Sequence, residues 1–503
     1  TIWFPWYARL LGARVAKSVD LHTLPPVTGL LTVGKNAAIE PEVDLQGHWI
    51  DGDVVHIAPI TIGARARVGA RSTLAPGAQV GKEAEIGPGS YVESAVPSGE
   101  FWSGAPAAYV AEARGPWTGE VAPARRGWLV AYGAMAIAIA SLPGISAVIA
   151  ALVVWPSISA TDSLGEAVAA GWPWLLLATV AWFVVLAGLT AALTRLFGRW
   201  IEPGHHPVRS GAGLAIWATV RLLDEARTWL FPLYSSALTP AWLRLLGAKV
   251  GRDVEASTVL LIPKLVQVND GAFLADDTMV GTYELGEGWI RVERVKVGKR
   301  AFVGNSGMLA PGRRVRKQSL VAVLSAAPAR GKAKAGQSWL GSPPQKLRRT
   351  ASDGDQSRTY QPPTRLKVLR ALVELARIVP LWCAAALTVA VGATLLALLS
   401  YAWWLAVLLC GVVLATAGAV ACGLTVLAKW VLVGRHRSGE HALWTSFVWR
   451  NELADTFTEL LAAPWFANHA AGSPALNLWL RAMGARIGTG VWCDTYWLPE
   501  TDL

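Results

Sequence analysis

From Ile62 to Val92 an apolar residue returns at every sixth position: Ile62, Val68, Leu74, Val80, Ile86 and Val92. The residue that follows is small in five of these units: Gly63, Gly69, Ala75, Gly81 and Gly87. A period of six matches neither the 3.6-residue turn of an α-helix nor the two-residue alternation of a strand. It matches a coil with three short faces per turn, in which each apolar side chain points to a central axis and the next residue sits at a corner. The stretch 55–97 therefore predicts a left-handed parallel β-helix of hexapeptide repeats, with glycine supplying corner angles that other residues resist. Val33 and Ile39, also six apart, start the coil earlier. The segment LQGHWIDGDVV, between Asp44 and His56, interrupts it. The helical phrase WYARLLGA ahead of it is expected to cap the open end of the coil, and FWSGAPAAYV to close the domain.

The pattern then changes. Residues 127–156 and 170–194 are apolar runs long enough to cross a bilayer. The turn between them carries Asp and Glu but neither Lys nor Arg, whereas Arg114, Arg125, Arg126, Arg195 and Arg199 lie outside the pair. The positive-inside rule places both ends in the cytoplasm. Residues 208–231 place Ile216, Val220, Leu223 and Leu230 on one helical face and Arg221, Asp224, Glu225 and Thr228 opposite. With Trp217 and Trp229 alongside, that helix is suited either to the membrane surface or to docking against the protein.

After this the whole order repeats. WLRLLGAKVG at 242–251 echoes WYARLLGARVA, and Leu309-Ala310-Pro311-Gly312 echoes Leu74-Ala75-Pro76-Gly77, both at an offset of 235 residues. Val297, Val303, Leu309, Val315 and Val321 resume the six-residue spacing. A second apolar pair follows at 378–400 and 403–429, again with basic residues outside it. Gly439-Glu440-His441 then echoes Gly204-His205-His206, and LWLRAMGARIGTGVW is a third copy of the cap phrase. The predicted architecture is tandem left-handed parallel β-helix domains alternating with transmembrane α-helical hairpins. The expected boundaries are a first β-helix over 1–115, a hairpin over 127–194, an amphipathic connector over 205–240, a second β-helix over 241–345, a basic linker over 346–370, a hairpin over 378–429, a connector over 435–470 and the start of a third β-helix over 471–503. The chain is read as a piece of a longer protein.

Composition agrees with membrane insertion. Of 503 residues 53% are hydrophobic and 16% charged, too apolar for an ordinary soluble protein. The formal charge of +11 suits a protein lying against anionic lipid. No phosphate loop, dinucleotide fingerprint or metal-ligand spacing occurs, so neither a metal nor a nucleic-acid partner is expected. The four cysteines, Cys383, Cys410, Cys422 and Cys493, form no CxxC pair. The predicted location is the cytoplasmic membrane, multi-pass, with every soluble domain on the cytoplasmic side.

Acyl transfer to an amine or hydroxyl needs a base to take the acceptor's proton, and histidine suits this near neutral pH. His48 and His56 flank or occupy the interruption of the first coil, with Asp51 beside them to orient a ring; Asp44 and Asp53 lie in the same excursion, and His22 near the cap. These make His48, His56 and Asp51 the candidate catalytic residues. At the matching offset the second domain has Tyr283 and Arg291 instead, so the two domains are not expected to do the same work. Its acids, Asp276, Asp277, Glu284 and Glu287, suit a cationic substrate, Asp276 and Glu284 foremost. Trp102, Gly104 and Pro106 form a W-x-G-x-P-A segment that resembles the closing segment of hexapeptide acetyltransferases, which in that family lies near the acyl-carrier arm.

The order of parts, carried by RLLGARVAKSVDLHTLPP, GHWIDGDVVHI, FWSGAPAAYV, VQVNDGAFLADD, YELGEGWIRV and WLRAMGARIGTGVWCDTYWLPETDL, resembles the C-terminal membrane region of single-module nonribosomal peptide synthetases of the ε-poly-L-lysine synthetase type. The resemblance implies transfer of an aminoacyl group from the phosphopantetheine thioester of a carrier domain to an amine, with no cofactor held by this chain itself. It implies adenylation and carrier domains upstream, membrane lipid, and an amino acid or peptide acceptor as partners. A homotrimer is expected by analogy with other hexapeptide proteins. Two other functions fit the residues: a membrane-bound acetyltransferase that uses CoA, and a non-catalytic trimeric scaffold or export platform.

Overall fold

The computed structural model describes the chain except residues 1–2, 114, 116, 118–119, 124–126, 330, 332–333, 349–361, 440, 499 and 503. Arg114, Arg125, Arg126, Glu440 and most of the expected linker lie outside the described residues. The chain divides into two compact units. One comprises Thr1–Ala140, Ala191–Asp224 and Thr239–Ala351; the other comprises Ser141–Thr190, Glu225–Leu238 and Ser352–Leu503.

The first unit contains two parallel β-helices. In the first, short strands stack in three sheets, and residues one coil apart pair eighteen positions apart, as in Thr61↔Gln79, Arg67↔Glu85 and Thr73↔Tyr91. Eighteen residues are three hexapeptides, which is why every sixth side chain returns to the axis. Val33, Ile39, Leu45, Ile62, Val68, Leu74, Val80, Ile86, Val92 and Val96 are all buried there. Across the interruption the pairing jumps from Val33 to Ile62. The extra residues form a β-hairpin, Trp49–Asp51 against Val54–His56. The second β-helix repeats the design: Val250 pairs with Val268, Val268 with Val297 and Val297 with Val315. Its hairpin is Glu284–Gly286 against Trp289–Val292.

One expectation about the corners needs correction. The glycine after each inward residue does not supply an unusual angle. A Cβ on Gly63 would lie 2.6 Å from the carbonyl carbon of Gly81 in the next coil, so closeness of the coils excludes a side chain there. The left-handed corner angle falls two residues later, on Arg65, Arg71 and Glu83 (φ 59° in each). Such angles cost a non-glycine residue free energy, which the stacked coil on either side enforces.

Each β-helix is capped by a short helix, Trp3–Leu10 and Thr239–Leu246. The Arg9 side chain donates from Nε to the carbonyl of Val15 and from Nη2 to that of Ala16. Arg244 does the same to Val250 and Gly251. In the second unit the helix Pro474–Ala482 places Arg481 in the same bonds, to Ile487 and Gly488. The cap phrase therefore repeats in space three times. Residues 486–498 hold no strand.

Among the described residues four helices are long and apolar enough to cross a membrane: Gly127–Ile158, Leu164–Gly198, Thr364–Tyr401 and Trp403–Leu432. The amphipathic stretch is a helix, Gly211–Trp229, and Ile216, Trp217, Val220 and Leu223 are buried in the protein. Of the two options left by its sequence it takes docking. In the second unit the buried guanidinium of Arg377 donates to the carbonyls of Tyr234 and Ser235 and pairs with Glu374 at 2.6 Å and Glu452 at 3.3 Å.

Candidate active site

The two β-helices of the first unit meet along a seam, and the polar residues that gather there break the small-residue rule. His22 follows inward Leu21 and Glu40 follows inward Ile39, in the slot that Gly63 and Gly69 occupy elsewhere. Backbone bonds from His22 N to Ile39 O (3.0 Å) and from Glu40 N to Val68 O (3.1 Å) stack the two residues on successive coils. Their side chains leave the first β-helix at one corner and reach the hairpin of the second. His22 Nδ1 lies 2.7 Å from the Tyr283 hydroxyl. The Glu40 carboxyl, 5% exposed, accepts the backbone N–H of Ala70 and that of Leu285, both at 2.9 Å.

Charged and polar pairs hold the seam together. Arg65 donates to Glu287 from Nε at 3.0 Å and from Nη2 at 2.5 Å. Arg71, already paired with Glu42 at 2.6 Å, donates to the carbonyl of Asp277 at 2.7 Å and to its carboxylate at 2.9 Å. Ser342 Oγ donates to Pro88 O. Trp117 lies under the Arg67 guanidinium, 4.7 Å from ring centroid to Cζ, and leaves no room for a Cβ on Gly286.

The seam shifts proton affinities. Burial pushes the Glu40 carboxyl up to about 8, with nearby Glu284 adding and Arg67 opposing. Burial also raises Asp20 to about 6, against the pull of Arg209. Burial holds His22 well below its usual range and Tyr283 well above its own. A neutral imidazole therefore faces a protonated phenol. The tautomer in which Nδ1–H donates to the phenol oxygen leaves Nε2 free as an acceptor.

The residues singled out from sequence fall in different places. His48, Asp51 and His56 lie together on the first domain's hairpin, all exposed, with the His56 ring 5.0 Å from that of Trp49. The equivalent hairpin of the second domain is the one buried in the seam; Tyr283 and Arg291, the counterparts of His48 and His56, are drawn into it. Glu284 belongs to the seam, paired with Arg291 at 2.5 Å. Asp276 accepts bonds from the hydroxyls of Ser257 (2.9 Å) and Thr258 (2.5 Å) on the preceding coil. Trp102 packs against the core of the first β-helix and donates to Glu100 at 2.8 Å. Gly104 has φ +120° and Pro106 is exposed beyond it. No cluster of three metal-ligating side chains occurs among the described residues. Sequence reasoning missed Glu40 and the pairing of His22 with Tyr283. The available signal was a bulky polar residue standing where the coil otherwise takes Gly or Ala.

This architecture is that of a hexapeptide-repeat β-helix protein with membrane-length helices. Solved structures of that fold class are similar to parts of it. A hexapeptide-repeat acetyltransferase from Vibrio cholerae is 18% identical, covering 21% of this chain and 77% of its own (TM-score 0.18). A maltose O-acetyltransferase from Clostridium difficile is 12% identical, covering 31% and 96% (TM-score 0.22). Along its whole length the chain is related to a poly(amino acid) synthetase, the delta-poly-L-ornithine synthetase of Acinetobacter baumannii, at 28% identity over 99% of this chain. The chain spans 39% of that enzyme's length. No family model matches.

Proposed function

We propose that this chain is the membrane-bound acyl-transferring part of a synthetase that joins amino acids into a homopolymer or short peptide. The carrying observation is the relationship to delta-poly-L-ornithine synthetase over 99% of the chain. In this reading an amine nitrogen attacks the carbonyl carbon of an aminoacyl thioester, carried on phosphopantetheine. The carbon–sulfur bond breaks, the amine's proton passes to a base, and the sulfur leaves and is protonated to the thiol. His22 Nε2 is the proposed base and Tyr283 its positioning residue. Glu284 and Glu287, on the hairpin that Tyr283 precedes, are engaged by Arg291 and Arg65 and hold that hairpin in place. A membrane hairpin between the two β-helices would leave both on one face of the bilayer, proposed to be the cytoplasmic one.

A second placement of the base rests on the exposed hairpin: His48 and His56 are open to solvent, with Asp51 at the tip. Full-length protein decides between them. Product formation is expected to fall at least about a hundredfold in His22→Ala, the usual scale of a lost general base. It is expected to stay within about twofold in His48→Ala/His56→Ala. The reverse result would move the chemistry to the hairpin. If neither variant changes the rate, this part of the enzyme does not catalyse transfer.

A further inference from the structure

Where the second membrane-length helix ends, the first unit holds a cavity of about 420 Å³, lined by Thr194, Arg195, Arg199, Thr219, Gly247 and Lys264 among others. Among the described residues three cations border it and no acid does. Their commitments differ. Arg195 gives Nε and Nη2 to the carbonyls of Leu245 (2.6 Å) and Arg244 (3.1 Å), at the end of the helix that caps the second β-helix. Lys264 pairs with Glu202 at 2.7 Å, leaving two of its three donors unused. The Arg199 side chain is exposed and makes no hydrogen bond or ion pair among the described residues.

An independent observation lies at the cavity wall. Thr194 is 2% exposed, and its hydroxyl has no partner. Threonines in helices normally bond back to the carbonyl four residues earlier. Thr179 and Thr219 do so here, to Leu175 and Ala215. The Thr194 hydroxyl, buried and unsatisfied, is a donor without an acceptor, which is costly unless a ligand supplies one.

The cavity also has a defined level. The membrane-length helix Leu164–Gly198 ends between Arg195 and Arg199. Exposed Leu196, Trp200 and Leu245 lie beside them. Arginine, tryptophan and leucine exposed together at the end of a span are the composition of the lipid headgroup boundary. The cavity is large enough for a phosphodiester and its alcohol, and guanidinium groups with a hydroxyl donor match phosphate oxygens.

We propose that this cavity is a phosphate-binding site, filled by the headgroup of an anionic phospholipid or by free phosphate, and that the bound phosphate ties the end of the membrane helix to the cap of the second β-helix. The test uses the full chain in detergent, titrated with dioleoylphosphatidylglycerol, inorganic phosphate or dioleoylglycerol, and read by native mass spectrometry and by thermal midpoint. Phosphatidylglycerol is expected to bind and raise the midpoint, dioleoylglycerol to do neither, and Arg199→Gln/Lys264→Gln to weaken binding about tenfold or more. Thr194→Val, which keeps the buried shape, is expected to weaken it several-fold. Protection by phosphatidylglycerol alone identifies the lipid as the source; equal protection by inorganic phosphate identifies the free ion. Equal retention of dioleoylglycerol, or binding unchanged in the double variant, overturns the site. Should Lys264→Gln disturb Glu202, Arg199→Gln alone decides, because that side chain makes no hydrogen bond or ion pair among the described residues.

Discussion

Glu40→Gln tests the seam where its physics is most distinctive. The folded protein raises the Glu40 carboxyl from 4.5 to about 8, mainly by burial. A raised carboxyl binds its proton more tightly folded than unfolded. Its contribution to stability is therefore full below about 4.5 and declines as pH rises toward 8. A rise of this size corresponds to about 4–5 kcal/mol across that window, an upper scale because water entering the seam would reduce it. Glutamine does not ionise, so the variant lacks this decline. It retains one acceptor oxygen, but its NH2 faces the N–H of either Ala70 or Leu285. That mismatch is expected to cost about 1–3 kcal/mol at every pH. The variant should therefore be less stable than wild type at pH 5 and at least as stable at pH 9. Asp20, raised to about 6, imposes a decline of the same sign on both proteins and cancels in the difference. Thermal unfolding of the full chain in detergent, followed by tryptophan fluorescence from pH 5 to 9, gives that difference directly. A constant gap across the range would refute a buried, proton-binding Glu40.

Three further substitutions test the packing. Arg65→Glu and Glu287→Arg should each destabilise the seam by about 1–3 kcal/mol, and the double swap should recover a measurable part of the loss; strictly additive losses in a double-mutant cycle would show that the pair carries no coupling. Arg244→Ala removes two bonds to the carbonyls of Val250 and Gly251 and should cost about 1–3 kcal/mol in unfolding experiments, with faster exchange of backbone amides at the first coil of the second β-helix. Unchanged exchange there would remove the cap from the account.

Much of the fold was legible because a hexapeptide coil is written locally. Its period sets which side chains point inward, and its repeat at 235 residues reveals a second copy before any contact is known. The apolar runs are equally explicit, since length and the absence of charge suffice to nominate a membrane-length helix. The triplicated phrase around Arg9, Arg244 and Arg481 also carries its own bonding, because each arginine reaches carbonyls only six or seven residues away.

The seam was not written that way. Alignment of the copies presents Tyr283 as the residue that replaces His48, a loss. In three dimensions Tyr283 meets His22, 261 positions away in the chain. Nothing in the six-residue period says which corner of one β-helix faces the other. That choice depends on which surfaces are complementary once both coils exist: Arg65 to Glu287, Arg71 to Asp277 and Glu40 to the Leu285 amide. The same hairpin accordingly lies exposed in one copy and buried in the other. Local periodicity determined the coils, the caps and the apolar spans, because their energetics are settled within one or two turns of chain. The packing of coil against coil alone decided where histidine, phenol and carboxyl meet and how burial changes their protons, because desolvation belongs to the assembled surface and to no segment of it.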